Sequence, residues 1–260
     1  MDLLLFSVDP HLVHRSVAAG VTGVVVDWEH RGKARRQHGY DTEVNRQTPA
    51  DLRRVRAATE GLVVCRVNGY GPWTPVEVAA AVSAGADEIL LPMVRTVEEV
   101  DRVLDLVAGR CGLGILVETC AAVQRAAELS SRPLSRIYVG LNDLRIDRGS
   151  EDLFAPFVDG TVDDVRAVTS VPFGVAGLTR PDAGHPVPSR LLAGELARLA
   201  ADFTFLRRSY LADTAGRDPF VEVPRILAAV AAARRRTGAQ VGADRAALVA
   251  AVDAGVRQPA

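Results

Sequence analysis

The chain has 260 residues, of which 48% are hydrophobic and 24% are charged. These fractions are ordinary for a soluble globular protein and exclude a largely disordered chain. The 31 basic and 32 acidic residues give a net charge of −1, which argues against binding to nucleic acid or anionic lipid through overall charge. The length fits either one α/β barrel of ~250 residues or two small domains.

The N-terminal segment and the cysteines indicate a cytoplasmic protein with no membrane partner. The first residues lack a basic region, their apolar run ends at Asp9-Pro10, and no later stretch of roughly 18 apolar residues occurs. Cys65, Cys111 and Cys120 are odd in number and lack C-x-x-C spacing. We therefore expect neither a disulfide framework nor a thiolate metal site.

Short apolar runs alternate along the chain with longer segments of helical spacing, as in a parallel sheet flanked by helices. The predicted strands cover residues 3–8, 23–28, 62–68, 88–93, 114–119, 137–140, 172–178 and 203–209. The predicted helices between and after them cover residues 10–19, 48–59, 75–84, 96–109, 120–129, 161–168, 188–200 and 219–235. Eight strands with eight helices predict a (β/α)8 TIM barrel rather than an open sheet.

An additional C-terminal helix follows the predicted barrel. We assign residues 1–236 to a catalytic barrel domain and residues 237–260 to the helix and tail. Apolar side chains recur on one face of this helix, at Ala247, Leu248, Ala251 and Val252. Such a face needs a surface to pack against, which could belong to the chain's own barrel or to a neighbouring subunit.

Polar side chains interrupt the apolar runs where several predicted strands end. In a barrel, this carboxyl-terminal end of the strands carries the catalytic groups. The side chains in question are Asp27, Glu29 and His30 after strand 2, Arg66 and Asn68 after strand 3, Glu118 after strand 5, and Asn142 and Asp143 after strand 6. Because side chains alternate along a strand, Asp27 shares a face with Glu29, and Arg66 shares one with Asn68.

These residue types suit a particular chemistry. Glu118 and Asp143 come from adjacent strands and could bind Mg²⁺ or Mn²⁺ through oxygen ligands. Arg66 is suited to a developing oxyanion, and His30 could act as a general base because its ordinary pKa lies near neutrality. The alternatives are strand-end ion pairs, including a barrel-mouth salt bridge at Asp27, and a solvated loop histidine.

Other cationic side chains follow the predicted strands 2, 7 and 8. The single lysine, Lys33, lies in the long polar segment 29–48, so a Schiff-base aldolase, which needs a lysine aimed into the barrel, is not expected. Arg207 follows strand 8 and, with Arg208, Thr179 and Arg180, could hold an anionic substrate tail.

Five stretches give the chain a resemblance to the HpcH/HpaI aldolase and citrate lyase family of the phosphoenolpyruvate/pyruvate barrel superfamily. They are VVVDWEH (24–30), VVCRVN (63–68), EILLPMVRTVEEV (88–100), ILVET (115–119) and YVGLNDL (138–144). The resemblance implies that Glu118 and Asp143 bind the divalent metal, that Arg66 contacts the oxygen that becomes the enolate, and that His30 transfers a proton. Two departures are Ser83, aligned where an acidic partner of the histidine is usual, and Leu116, where a polar residue is often found.

The resemblance implies a metal-dependent carbon–carbon lyase or aldolase acting through the enolate of a pyruvate-type 2-oxo acid. Alternatives are an enzyme similar to citrate lyase β subunits or malyl-CoA lyases, acting on a CoA thioester, and a barrel that binds without turnover. A small 2-oxo acid or acyl-CoA substrate is expected, and the resemblance implies a homo-oligomer, a trimer or hexamer. The side chains predicted to bind substrate are Asp27, Glu29, Asn68, Asn142 and Arg207.

Overall fold

A computed structural model describes residues 1–33 and 45–256, which contain a closed barrel of eight parallel strands. The predicted (β/α)8 TIM barrel is confirmed. Each strand pairs with the next, and β8 pairs with β1 to close the sheet. The strands are β1 (Asp2–Phe6), β2 (Gly23–Asp27), β3 (Leu62–Arg66), β4 (Glu88–Leu91), β5 (Gly112–Val117), β6 (Arg136–Val139), β7 (Phe173–Leu178) and β8 (Phe203–Leu206).

Helices surround this sheet and connect its strands. They are α1 (Pro10–Ala18), α2 (Pro49–Ala58), α3 (Thr74–Ser83), α4 (Val97–Val107), α5 (Cys120–Gln124), α6 (Ala126–Ser130), α7 (Leu141–Asp147), α8 (Ala155–Val158), α9 (Thr161–Val168), α10 (Ser189–Arg198), α11 (Ser209–Asp213), α12 (Pro219–Arg234) and α13 (Gly238–Val256). Capping boxes begin α2 at Thr48 and α4 at Thr96. In each box the threonine hydroxyl accepts a backbone N–H and a carboxylate three residues later accepts the threonine N–H.

Several strands end earlier than predicted. β3 stops at Arg66 instead of residue 68, and β8 stops at Leu206 instead of residue 209. At these carboxyl ends the chain leaves the sheet and enters the loops that line the barrel mouth. The short helices α7, α8 and α11 were not predicted, because a helix of one or two turns carries too few residues for a periodic pattern.

The apolar side chains form two layers. One cluster fills the barrel interior and consists of Leu4, Val25, Val64, Leu90, Leu116, Tyr138, Phe203 and Phe205. The larger cluster includes the remaining apolar strand side chains and the buried faces of the helices. Alternate residues of each strand contribute to the two layers, which holds the strand ends rigidly in place.

The C-terminal helix α13 packs on the chain's own α10. Leu248 and Val252 are buried, whereas Ala247 on the predicted stripe is exposed. Arg245 of α13 forms an ion pair with the buried Glu195 of α10. Because the chain's own barrel covers the apolar face, that face is not evidence for contact with a neighbouring subunit. The oligomer stays a prediction. No helix within the described ranges is both long and apolar enough to cross a membrane.

Candidate active site

A cavity of about 1120 Å³ opens at the carboxyl ends of the barrel strands. Five of the side chains predicted to bind metal or substrate line it: Arg66, Glu118, Asn142, Asp143 and Arg207. The other four predicted site residues do not line it: Asp27, Glu29, His30 and Asn68. This volume is slightly larger than the ~300–1,000 Å³ that is usual for a site that binds a small molecule.

Arg66 is fixed at the mouth by Asp27. Nε of Arg66 donates to Oδ1 of Asp27 over 2.8 Å and Nη2 donates to Oδ2 over 2.7 Å. Burial alone would raise the pKa of Asp27, but Arg66 and then Lys33 lower it well below its usual range. Burial alone would likewise lower the pKa of Arg66, and Asp27 and Glu29 raise it. The predicted salt bridge at Asp27 is therefore present, and it orients the arginine.

Lys33 is buried at the cavity, contrary to the prediction that it lies out in a polar loop. Its Nζ lies 3.3 Å from Oε2 of Glu29 and 3.6 Å from Oδ2 of Asp27. The same Glu29 oxygen lies 3.5 Å from Nη1 of Arg66. Two cations and two carboxylates thus form one compact group, the mouth quartet, consisting of Asp27, Glu29, Lys33 and Arg66. Sequence periodicity gives no direction to a loop side chain, so this position was not foreseen.

Asp27 also holds the far end of the loop after β2. Asn45 Nδ2 donates to Oδ2 of Asp27 over 3.1 Å, and the Asp27 N–H donates to Oε1 of Gln47 over 2.6 Å. Both amides line the cavity, and neither was identified from the sequence. Residues 34–44 of the predicted polar loop lie outside the described residues.

Glu118 lies at the end of β5 with its carboxylate almost completely buried. Its Oε1 accepts the Met93 N–H over 2.9 Å. Met93 has a left-handed φ of 57°, a conformation that costs a non-glycine residue ~1–3 kcal/mol. Burial, and after it the charges of Asp143 and Glu29, raise the pKa of Glu118 to about 8.

Asp143 comes from the first turn of α7, and its carboxylate is also buried. Gly140 separates β6 from this helix, and a Cβ at Gly140 would collide with Oε2 of Glu118. The absent side chain lets the Glu118 carboxylate lie directly against the β6–α7 turn. Both predicted metal ligands line the same cavity, and the charge of Asp143 acts on Glu118.

The donor set fits a hard divalent cation. Two neighbouring buried carboxylates repel each other, which a divalent cation between them would relieve, and Mg²⁺ is typically bound by one or two carboxylates plus water and substrate. Within residues 1–33 and 45–256, no group of three or more His, Cys, Asp or Glu side chains is arranged to hold a metal. A metal here would therefore depend on Glu118, Asp143, water and substrate oxygens.

His30 and Asn68 do not line the cavity. The His30 ring is exposed, and its Nδ1–H donates to the Trp28 carbonyl over 2.8 Å. The Asn68 amide is buried, with Oδ1 accepting the N–H groups of His30 and Arg31 and Nδ2 donating to Glu77 and to the Trp28 carbonyl. Asn68 therefore orders the turn after β2 instead of facing substrate.

The aligned position of Ser83 was also misjudged. Ser83 ends α3, just before β4. In a parallel barrel that position lies at the amino end of the strands, away from the His30 turn at the carboxyl ends. Ser83 is therefore not placed to replace an acidic partner of the histidine.

The floor of the cavity is apolar and aromatic. Leu116, Tyr138 and Phe205 rise from the barrel interior to line it, and the Tyr138 and Phe205 ring centroids are 4.1 Å apart. The Arg66 guanidinium lies 5.1 Å from the centroid of the Phe6 ring. Low-polarity walls strengthen the electrostatic interactions of the buried charges above them.

The last predicted substrate residues lie on the opposite side of the mouth. Asn142 accepts a hydrogen bond from Arg145 over 2.9 Å, and Arg207 follows β8. Thr179 and Arg180 do not line the cavity: Thr179 donates to Asp213, and Arg180 forms ion pairs with Asp182 and Glu222. They are therefore not placed to hold a substrate tail.

The comparisons with known proteins identify the fold. Neither a family model nor a curated protein sequence matches the chain. Among solved structures, the citrate synthase SbnG superposes with a TM-score of 0.60 at 17% sequence identity, over 81% of this chain and 88% of that one. RipC from Yersinia pestis superposes with a TM-score of 0.59 at 12% identity, over 93% of this chain and 98% of that one. At these identities the likeness establishes a shared barrel fold.

Proposed function

We propose that the chain is a divalent-metal-dependent carbon–carbon lyase or aldolase that acts through the enolate of a pyruvate-type 2-oxo acid. The observation that carries the proposal is the pairing of Glu118 and Asp143 in one buried cavity with Arg66. Burial and the Asp143 charge raise the pKa of Glu118 to about 8, although the charge of Arg66 lowers it, as expected for a buried carboxylate beside a like charge.

Glu118 and Asp143 are the residues that would hold Mg²⁺ or Mn²⁺. Such an ion, when bound, supplies Lewis-acid polarisation of a substrate carbonyl. The Met93 N–H fixes one oxygen of Glu118, so this ligand is positioned before substrate arrives. Preorganised ligands of this kind give a site its geometry without reorganisation during the reaction.

Arg66 is proposed to stabilise the negative oxygen of the enolate. Two of its donor nitrogens are used by Asp27, and Nη1 is left with the more distant Glu29 at 3.5 Å. Lys33 shares the same Glu29 oxygen at 3.3 Å, which offsets the negative charge that would otherwise hold Nη1. A fixed cation with one available donor is suited to an oxyanion that forms during the reaction.

The fold comparisons support an enzyme of the phosphoenolpyruvate/pyruvate barrel superfamily. One structural neighbour is named a citrate synthase, and forming citrate makes a carbon–carbon bond beside a carbonyl. The class of reaction proposed here is the same, since both directions of an aldol-type reaction pass through an enolate.

A CoA thioester is the second candidate substrate. The observation that favours it is the volume of the cavity, about 1120 Å³, which exceeds what a three-carbon acid fills. Of the arginines expected to hold an anionic substrate tail, Arg207 and Arg208 line the cavity and Arg180 does not.

Calorimetry separates these possibilities. Titration of the chelator-treated protein with Mg²⁺ or Mn²⁺ should give one site per chain in the wild type and none in Glu118→Gln. Pyruvate should then bind the metal-loaded protein, whereas tighter binding of acetyl-CoA would favour the thioester enzyme. Failure of both metals to bind would contradict the proposal and favour a barrel that binds without metal-dependent turnover.

A further inference from the structure

Arg207 lies in a recess built around its side chain. Its backbone N–H donates to the Leu178 carbonyl over 2.9 Å, which fixes the residue beside the end of β7. A Cβ at Gly177 would collide with the Arg207 Cβ, and a Cβ at Gly184 would lie 3.0 Å from Nη2. Gly184 also has a φ of +107°, which favours glycine. Two glycines therefore make the space that the arginine occupies.

In the part of the chain that the structure describes, the Arg207 guanidinium forms a hydrogen bond but no ion pair. Nε donates to the Ser209 hydroxyl over 2.9 Å, and within the described residues no carboxylate lies at ion-pair distance from this guanidinium. Asp213 is the acidic group whose charge acts on it, but the Asp213 carboxylate accepts hydrogen bonds from Thr179 over 2.5 Å and Ser209 over 3.1 Å. Burial lowers the pKa of Arg207, as expected for a desolvated cation.

Apolar side chains share the wall of the cavity with this cation. They are Leu192, Phe205, Leu206 and Leu211. A half-buried guanidinium next to an apolar wall carries a desolvation cost that an anionic ligand offsets. Arg66, by contrast, already has the carboxylates of the mouth quartet.

We propose that Arg207 forms a second substrate subsite, which binds the anionic end group of an acceptor whose body lies along the apolar wall. The first subsite is the one at Glu118, Asp143 and Arg66, where the 2-oxo acid binds. This inference rests on the proposed function for that assignment. The end group is an oxyanion, either a carboxylate or a phosphate, because planar guanidinium donors bind both. The substrate class is thus a chain with an apolar middle, a reacting carbonyl at one end and an oxyanion at the other.

A binding experiment tests the subsite without requiring turnover. Adipate and inorganic phosphate would be titrated calorimetrically into the wild type, Arg207→Gln, Arg207→Lys and Arg190→Gln. Arg190 is exposed on α10 and gives the same loss of charge outside the cavity. Loss of a charge-assisted hydrogen bond should weaken binding about 10-fold to 100-fold in Arg207→Gln. Arg190→Gln should bind as the wild type does, and Arg207→Lys should recover part of the affinity.

The stronger of the two probes identifies the end group as carboxylate or phosphate. Equal affinity of the wild type and Arg207→Gln, or binding of neither probe to the wild type, would overturn the proposal.

A turnover experiment separates this subsite from the proposed reaction. Condensation of pyruvate with 6-oxohexanoate and with hexanal compares two acceptors that differ in the end group. The wild type should prefer the charged acceptor in kcat/KM by at least about 10-fold, and Arg207→Gln should lose that preference. If Arg207→Gln retains the preference for the charged acceptor, the proposed subsite is wrong. If neither acceptor is condensed with pyruvate, the proposed function is contradicted, and the binding experiment alone decides on the role of Arg207.

Discussion

Asp27 and Arg66 are joined by two nearly equal hydrogen bonds, of 2.8 and 2.7 Å, between the side of the guanidinium and both carboxylate oxygens. This pairing sets the orientation of the cation that the proposed reaction needs. Asp27 is completely buried, so its interactions are screened little by salt.

Asp27→Asn should destabilise the protein strongly. Removing one partner of a buried ion pair leaves an uncompensated charge and typically costs ~3–5 kcal/mol of unfolding free energy. The matched control is Asp101→Asn, which breaks a similar two-point contact with Arg132 between partly exposed side chains and should cost under about 1 kcal/mol. Urea unfolding measures both changes, and equal effects would contradict the role given to Asp27.

Acid should weaken the wild type through the same residue. The folded-state pKa of Asp27 is lowered, so its contribution to stability is present above the unfolded-state pKa of ~3.9 and is lost as pH falls below it. Asp27→Asn should therefore show a shallower loss of thermal stability than the wild type below about pH 4. Parallel acid profiles for the two proteins would count against this.

In the metal-free protein, Glu118 should make the free energy of unfolding depend on pH in the direction opposite to that expected from Asp27. Its folded-state pKa of about 8 lies above the unfolded value, so the folded protein retains a proton that the unfolded chain releases. The free energy of unfolding should then fall as pH rises from about 5 to 8, by up to ~1.4 kcal/mol per pH unit. Glu118→Gln should abolish this slope, and Mg²⁺ should suppress it in the wild type. A slope unchanged in Glu118→Gln would show that another group causes it.

The sequence predicted the barrel well because its evidence was periodic. Alternating apolar residues in the strands and capping boxes at Thr48 and Thr96 were enough to place the elements. The rule that catalytic groups lie at strand ends placed Arg66, Glu118 and Asp143 correctly in the cavity. The rule failed for Asn68, which is two residues beyond the end of β3, where side-chain alternation no longer applies.

The directions of loop side chains were the other feature that the sequence could not predict. His30 and Lys33 belong to the same turn, yet His30 is exposed and Lys33 is buried. Their directions depend on long-range partners, Asn68 for the backbone at His30 and Asp27 for the Lys33 ammonium. A pattern of three to five residues in the sequence does not contain that information. The aromatic floor under Arg66 could not be predicted for the same reason, because strands distant in sequence form it.

Because Lys33 lines the cavity, an experiment should test whether it forms a Schiff base with pyruvate. Its nitrogen lies 3.6 Å from a carboxylate oxygen of Asp27 and 3.3 Å from one of Glu29, so forming an imine would break both ion pairs. We expect borohydride with pyruvate to leave the activity intact and Lys33 unmodified by peptide mass mapping. As the chain has a single lysine, a pyruvate adduct on a side-chain amine together with inactivation would establish the imine route instead.

Arg66→Ala should be less stable than the wild type, because it leaves the Asp27 carboxylate buried without its main partner. The folded variant should still bind metal and lose most of its enolisation activity. Removing one preorganised oxyanion donor typically costs ~10²-fold to 10³-fold in turnover. Arg132→Ala removes a partly exposed arginine that does not line the cavity and should leave the rate unchanged. If enolisation persists undiminished in Arg66→Ala, the negative oxygen is stabilised by another group.

Exchange of the pyruvate methyl protons with deuterium, followed by NMR, tests the central claim of metal-dependent enolisation most directly. The wild type with Mg²⁺ or Mn²⁺ should incorporate deuterium, chelation should abolish incorporation, and added metal should restore it. Glu118→Gln should remain inactive in every condition. Exchange that continues at the same rate after the metal is removed, or no exchange by the metal-loaded wild type, would contradict the account.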